Sequence, residues 1–205
     1  MTDSFMVTLD RAYYTAKPDR SETQRITERL KRAGGTKLTR TQFCEHIRRG
    51  GTWVPGVFET GATDDKGKTI WGAFKSLQIV AVDIDNAIEE KDAEGRKQKR
   101  MLLPGEAGYL SISDALRLCE LRRLEPMLLY TTFNHSDAWP RFRIVFDLGE
   151  PITDEGRARA IIEQLIFAFN GAGDAKCKNP NRLYFGSNGS VKEAWRSWQV
   201  SGDEE

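Results

Sequence analysis

Apolar and polar positions follow two different periods along the chain, so the pattern predicts both strands and helices. The almost wholly apolar stretch 76–85 (SLQIVAVDID) is typical of a buried strand. Strands are also predicted for 127–132 and for 141–148, where apolar residues alternate with polar ones. A shorter extended segment is expected at 52–58.

Four helices are predicted where a capping residue precedes apolar residues at helical spacing. The predicted caps are Ser21, Thr39, Ser111 and Thr153. The charged segment 89–100 is interpreted as a solvated loop or an exposed helix. Strands and helices follow one another without regular alternation, which favours an α+β fold in which helices flank a mixed β-sheet.

Length and composition are those of one folded domain. The chain has 205 residues, of which 39% are hydrophobic and 30% are charged, enough to build a core. We expect a single domain over 1–205, with an N-terminal lobe over 1–70 and a core that carries the functional motifs over 71–200. Because the net charge is only +1, a surface for nucleic acid has to be local.

Neither a membrane span nor a signal peptide is expected. The apolar runs are too short or too interrupted to cross a bilayer, and the first residues lack a basic flank before an apolar stretch. The three cysteines, Cys44, Cys119 and Cys177, lie far apart and show no pairing pattern. We therefore expect a cytoplasmic protein.

Two carboxylates at the end of the strand 76–85 form the first candidate site. Asp83 and Asp85 are two residues apart, so their side chains point to the same face of the strand. They repel each other unless a positive charge lies between them, so alanine at either position is expected to stabilise the metal-free protein. A divalent cation such as Mg²⁺ or Mn²⁺, which prefers oxygen ligands, would supply that charge. A strand end that simply reaches solvent would show the same pattern.

Basic residues follow in the next two strands. His135 comes after the strand 127–132, and Arg141 and Arg143 share one face of the strand 141–148. Guanidinium groups in that position would suit a triphosphate. An exposed strand face with a loop histidine would account for the same residues.

A third segment, 174–184, combines one carboxylate with basic and amide side chains. It contains Asp174, Lys176, Lys178, Asn179 and Arg182. A carboxylate beside basic residues can hold a metal that is itself bound to phosphate. A polar surface loop with a salt bridge is the alternative interpretation.

Together the three segments resemble the archaeo-eukaryotic primase superfamily, and within it the primase–polymerases of phages, plasmids and integrated mobile elements. Asp83 and Asp85 match its first motif, an apolar strand that ends in Asp-x-Asp. His135 matches the histidine of its second motif, although Phe133 stands where the family prefers a small residue. The third motif is matched by Asp174, Asn179, Arg182, Leu183 and Tyr184. The resemblance extends over residues 78–186 and includes a Pro-Arg-Phe-Arg strand at 140–143.

The resemblance implies a DNA-templated nucleotidyltransferase, a primase or a DNA polymerase, that uses two divalent ions, Mg²⁺ or Mn²⁺. Asp83, Asp85 and Asp174 would be the catalytic, metal-holding residues. The nucleotide-binding residues would be His135, Arg141, Arg143, Lys176, Lys178, Asn179 and Arg182. The implied partners are a single-stranded DNA template, nucleoside triphosphates and a helicase or another replication protein, in the replication of a mobile element or phage.

A second aspartate, Asp147, competes with Asp174 for the place of third carboxylate. Asp147 shares a face with Arg141 and Arg143, but it lies at the far end of their strand, roughly 13 Å from Arg143. Asp174 is followed by the basic residues of the third motif. We therefore choose Asp174 and expect a structural role for Asp147.

Other functions begin from similar residues. A phosphatase of the haloacid dehalogenase type also starts with an apolar strand and Asp-x-Asp, but its later acidic pair is not matched by Asp64-Asp65, which comes too early. A plasmid relaxing nuclease needs a His-apolar-His pair, and the two distant histidines do not supply one. A non-catalytic DNA-binding replication module would have broken acidic motifs, whereas these are intact.

Overall fold

The fold is built around a five-stranded antiparallel sheet, and a computed structural model describes residues 4–92 and 94–193 of the chain. The strands are β1 (Ser4–Tyr13), β2 (Thr36–Thr39), β3 (Gly51–Val54), β4 (Gly56–Phe58), β5 (Phe74–Ile84), β6 (Ala87–Lys91), β7 (Lys97–Met101), β8 (Pro126–Thr131), β9 (Phe142–Ile152) and β10 (Val191–Lys192). The helices are α1 (Arg20–Ala33), α2 (Arg40–Arg48), α3 (Ile112–Leu121) and α4 (Glu155–Phe167). The last part of the expected core, 194–200, lies outside the described residues.

The predicted α+β class is confirmed. The main sheet has the order β10-β8-β9-β5-β4, a second sheet has the order β2-β1-β3, and β6 and β7 form a separate hairpin. Every pair among the described strands is antiparallel, where the sequence pattern suggested a mixed sheet. The reason is visible between β8 and β9, which a loop joins directly; a parallel pair would need a crossover connection.

The helices begin within two residues of the predicted positions. The predicted caps of α2 and α3 are confirmed. For α1 the cap is Asp19 rather than Ser21, and for α4 it is Asp154 rather than Thr153. An ionised carboxylate accepts the unpaired N–H groups of a first helical turn more strongly than a hydroxyl does.

The charged segment 89–100 belongs to the hairpin β6–β7. The prediction of a solvated loop or an exposed helix for this segment is therefore wrong. In this hairpin Glu89 is paired with Lys99 across the two strands. Cross-strand pairs of opposite charge stabilise a sheet, but they produce no hydrophobic period that a sequence pattern could reveal.

The first strand, β1, was not predicted because polar residues hide its pattern. Asp10 is buried in β1, where it forms an ion pair with Arg29 of α1, both oxygens at 2.8 Å from guanidinium nitrogens. A buried carboxylate is tolerated only with such a partner. Phe5 and Val7 of the same strand belong to the main core.

The two faces of β5 have different surroundings. Val82 and Ile84 are buried in a cluster with Ala115 and Cys119 of α3. Asp83 points to the opposite face, since neighbouring strand residues alternate in direction. Among the described helices, none combines the length and the apolarity that a bilayer crossing requires.

Candidate active site

The register of β5 and β9 brings acidic and basic side chains together. Asp83 is the direct cross-strand partner of Arg143, and direct partners share a face of the sheet. The Nε atom of Arg143 lies 2.7 Å from Oδ1 of Asp83. One step further along, Arg141 Nε lies 3.3 Å from Oδ1 of Asp85. All four charged side chains therefore occupy one face.

Asp174 reaches the same place from a distant part of the chain. Its N–H donates to the carbonyl of Asp83 at 2.9 Å, so the segment that follows α4 runs beside the end of β5. Ligand atoms of Asp83, Asp174 and Cys177 all lie within 4.8 Å of one another. Asp85 is outside this compact group; its carboxylate is held by Arg141 and by Lys99.

A cleft of about 420 Å³ opens over the three carboxylates, Asp83, Asp85 and Asp174. In the described part of the chain its charged walls also include five cations, which are Lys17, Lys99, Arg141, Arg143 and Arg182. Positive charge therefore exceeds negative charge in the cleft. Such a surface suits an anion that carries several negative charges, such as a polyphosphate.

Arg143 is a fixed positive charge in the wall of this cleft. Its side chain is buried, and its Nη1 donates to the carbonyl of Phe185 at 2.8 Å. Burial acts to lower the pKa of Arg143, but the charge of Asp83 and the neighbouring Tyr130 and Tyr184 together outweigh burial and raise that pKa above its ordinary value. The Nε–H is not aimed at Asp83, so the short contact between them is an ion pair rather than a hydrogen bond.

Asp85 is ionised at neutral pH. Burial acts to raise its pKa, but the hydrogen bond from Lys99 and the charge of Arg141 outweigh burial and bring the pKa below its ordinary value. An ionised carboxylate is the form that binds a metal.

Cys177 is the neutral member of the compact group. Burial raises the pKa of its thiol to about 12, and its Sγ donates to Oδ2 of Asp174 at 3.6 Å. A protonated thiol is a poor ligand for a hard cation. Without the thiol, the oxygen donors are the carboxylates of Asp83 and Asp174 in the compact group and that of Asp85 beside them in the cleft. Such oxygen donors fit Mg²⁺ or Mn²⁺ better than a thiol-binding metal.

The structure does not bring His135 into the cleft. Its Nδ1 accepts the backbone N–H of Arg141 at 3.1 Å, and its side chain lines a separate cavity beside α3. Residues 132–134, which include Phe133, line the cleft instead. His135 therefore fixes the start of β9 and the position of Arg141.

The basic residues of the third motif point in different directions. Arg182 lines the cleft, and Lys176 lines an adjoining cavity, where it forms an ion pair with Glu89. Lys178 instead pairs with Glu163 of α4 at 3.2 Å. Asn179 is exposed, and its backbone carbonyl accepts the N–H of Arg182 at 2.9 Å. Neither Lys178 nor Asn179 lines the cleft.

Asp147 lies away from the three carboxylates. It is opposite Ile79, four positions before Asp83 on β5. Its oxygens accept from Arg40 Nη2 at 3.1 Å and from Gln78 Nε2 at 3.0 Å. These contacts join α2 to the main sheet, which is a structural role.

Lys17 and Lys99 were missed by sequence reasoning. Lys17 lies between β1 and α1, and Lys99 lies on β7 in the middle of a charged segment. Neither belongs to a motif or a periodic pattern. Only the tertiary fold brings them to the carboxylates.

Comparison with known proteins gives no assignment. No family model matches the chain, and neither a curated protein nor a solved structure matches it.

Proposed function

We propose that the protein is a DNA-templated nucleotidyltransferase, a primase or DNA polymerase that joins nucleotides during replication of a mobile element or phage. The observation that carries this proposal is the convergence of Asp83, Asp85 and Asp174 in a cleft whose other charged side chains are cationic. Two substrates are then required, a nucleoside triphosphate and a nucleic-acid strand that ends in a 3′-hydroxyl.

The three carboxylates would hold two divalent ions, Mg²⁺ or Mn²⁺. Their oxygen donors fit such ions, and the neutral thiol of Cys177 does not compete for them. When bound, the ions would lower the pKa of the attacking hydroxyl and neutralise charge on the phosphates.

The cationic side chains would bind and orient the triphosphate. Arg141 and Arg182 offer guanidinium donors from two different segments that line the cleft, and Arg143 adds a buried charge. Because Arg143 is already held by the carbonyl of Phe185, it needs little rearrangement when negative charge develops on the phosphates. In the reaction the 3′-hydroxyl loses its proton to water and its oxygen forms a bond to the α-phosphorus. The bond between the α-phosphorus and the oxygen that bridges the α- and β-phosphates breaks, and pyrophosphate leaves with that oxygen.

The proposal includes partners that bring the template to the cleft. Because the net charge is only +1, we expect the isolated chain to bind single-stranded DNA weakly and in a salt-sensitive way. A helicase or another replication protein would then load it. We place this activity in the cytoplasm, where the three thiols stay reduced.

Primer extension tests the proposal. The purified protein is incubated with a primed single-stranded template, Mg²⁺ or Mn²⁺, and either ribonucleotides or deoxyribonucleotides, and the products are separated by size. We expect template-dependent extension, and the faster nucleotide set identifies the substrate. Hydrolysis of a phosphate monoester without extension would indicate a phosphatase instead, and DNA binding without either reaction would indicate a non-catalytic module.

A further inference from the structure

The hairpin β6–β7 is attached to the surroundings of the carboxylates by two ion pairs. Lys99 Nζ donates to Oδ2 of Asp85, and Lys176 Nζ donates to Oε1 of Glu89. Glu89 and Lys99 are direct cross-strand partners, so their side chains share one face of the hairpin. That face is turned toward Asp85 and toward the segment that begins with Asp174.

Lys99 differs from its neighbours in the carboxylate that it contacts. Lys97, two residues before it on β7, lies 3.7 Å from Glu89, which is itself on the hairpin. Arg100 pairs with Glu90 and Glu106. Among the described ion pairs of the hairpin cations, only that of Lys99 reaches a carboxylate of the cleft.

The position of Lys99 conflicts with metal binding at Asp85. A divalent ion that used both Asp85 oxygens would have to displace the ammonium from Oδ2. The Lys99 side chain is 54% exposed, so water can replace the lost contact at small cost. The displaced ammonium would stay at the boundary between the cleft and the adjoining cavity, since Lys99 lines both.

We infer that Lys99 is a built-in counter-ion of the candidate metal site, which holds Asp85 until a divalent ion replaces it and then binds the phosphates of the nucleoside triphosphate. The inference rests on the proposed function. It makes Lys99 a competitor of the metal and a partner of the nucleotide. Metal and nucleotide then favour each other's binding. The metal displaces Lys99 from Asp85 and so frees the ammonium for the phosphates, and the nucleotide draws Lys99 away from Asp85 and so frees the carboxylate for the metal.

The test measures binding of Mn²⁺ to the metal-free protein without nucleotide, by the paramagnetic resonance signal of the free ion. We expect Lys99→Ala to bind Mn²⁺ more tightly than the wild type, by roughly fivefold, the effect of removing an exposed competing charge. Binding of a non-hydrolysable nucleoside triphosphate should become weaker in the same variant. Addition of that nucleotide should also increase the Mn²⁺ affinity of the wild type more than that of Lys99→Ala.

Two control variants separate the contact from general charge effects. Lys97→Ala removes the same charge from the same hairpin face without a contact to the cleft, so its Mn²⁺ affinity should stay close to that of the wild type. Lys99→Arg keeps a cation at the position and should restore most of the competition. Circular dichroism and thermal melting confirm that each variant is folded.

The outcomes distinguish this inference from the proposed function. Equal Mn²⁺ affinities for Lys97→Ala and Lys99→Ala, or weaker Mn²⁺ binding by Lys99→Ala, would overturn the role of Lys99. Primer extension by the wild type would in that case still support the proposed function. A wild-type protein that bound no Mn²⁺ and extended no primer would overturn both.

Discussion

Asp83 and Arg143 face each other directly across β5 and β9, with Nε of Arg143 2.7 Å from Oδ1 of Asp83. From the sequence, Asp83 and Asp85 at the end of this strand were expected to repel each other until a metal ion binds. In the structure the charge of Asp83 is balanced by a buried guanidinium of the protein itself. The carboxylate site is therefore stabilised before any metal binds.

This ion pair reverses one expectation from the sequence. Asp83→Ala leaves the Arg143 charge buried without its partner, so the free energy of unfolding of the metal-free protein should fall, by about 3 kcal/mol. Urea denaturation in the presence of a chelator measures it. The double variant Asp83→Ala/Arg143→Met should recover part of the loss, because no unpaired charge is left. An unchanged or higher stability of Asp83→Ala would show that repulsion between Asp83 and Asp85 dominates.

Arg182 and Lys178 provide a matched pair within the third motif. Arg182→Ala should raise the KM for the nucleoside triphosphate by roughly tenfold, the effect of losing a hydrogen bond to a charged group. Lys178→Ala should leave that KM almost unchanged, because Lys178 is paired with Glu163 outside the cleft. Primer-extension kinetics at saturating DNA measure both. An equal rise of the KM in both variants would mean that Lys178 leaves Glu163 and contacts the nucleotide.

His135 is predicted to act through Arg141. His135→Ala removes the acceptor of the Arg141 backbone N–H, so the KM for nucleotide should rise moderately through the displaced arginine. His135→Asn can accept the same hydrogen bond through its side-chain oxygen and should restore most of the wild-type value. If asparagine fails while the fold is intact, the imidazole itself contacts the nucleotide.

The lowered pKa of Asp85 makes the free energy of unfolding depend on pH in a specific way. Its pKa in the folded protein is lower than in the unfolded chain, so its stabilising contribution is complete above the ordinary aspartate pKa of about 4. That contribution is lost as the pH falls through the lower folded value. The stability difference between the wild type and Asp85→Asn should therefore be largest above pH ~5 and shrink below pH ~4. Thermal melting across this range measures it, and a difference that did not change with pH would contradict the assigned ion pairs.

The sequence predicted those parts of the site that depend on strand alternation. Asp83 and Asp85 were expected to share a face once 76–85 was assigned as a strand, and β5 confirms that strand up to Ile84, the residue before Asp85. Asp174 lies beside Asp83 although the two residues are far apart in the chain, and a backbone hydrogen bond joins their segments. In the sequence only the order of the motifs indicated that the two carboxylates lie close together.

Other parts depend on long-range contacts that leave no local pattern. Lys99 reaches Asp85 because a charged segment folds back as a hairpin. In the sequence that segment is a run of acidic and then basic residues, which looks like any solvated segment. Lys178 directly follows a short 3-10 turn at Ala175–Cys177 and pairs with Glu163 of α4 outside the cleft, and no local pattern predicts that pairing. The polar strand β1 escaped detection because its buried Asp10 is neutralised by Arg29 of a separate element.

The most direct test of the account compares primer extension by the wild type, Asp174→Asn and Asp147→Asn in Mn²⁺. Both substitutions remove one charge with almost no change of shape, and circular dichroism verifies the fold of each protein. We predict that the wild type extends the primer, that Asp174→Asn lowers the rate by roughly a hundredfold or more, and that Asp147→Asn keeps most of it. Loss of activity in Asp147→Asn with activity retained in Asp174→Asn, or no extension by the folded wild type with any nucleotide set, would contradict the account.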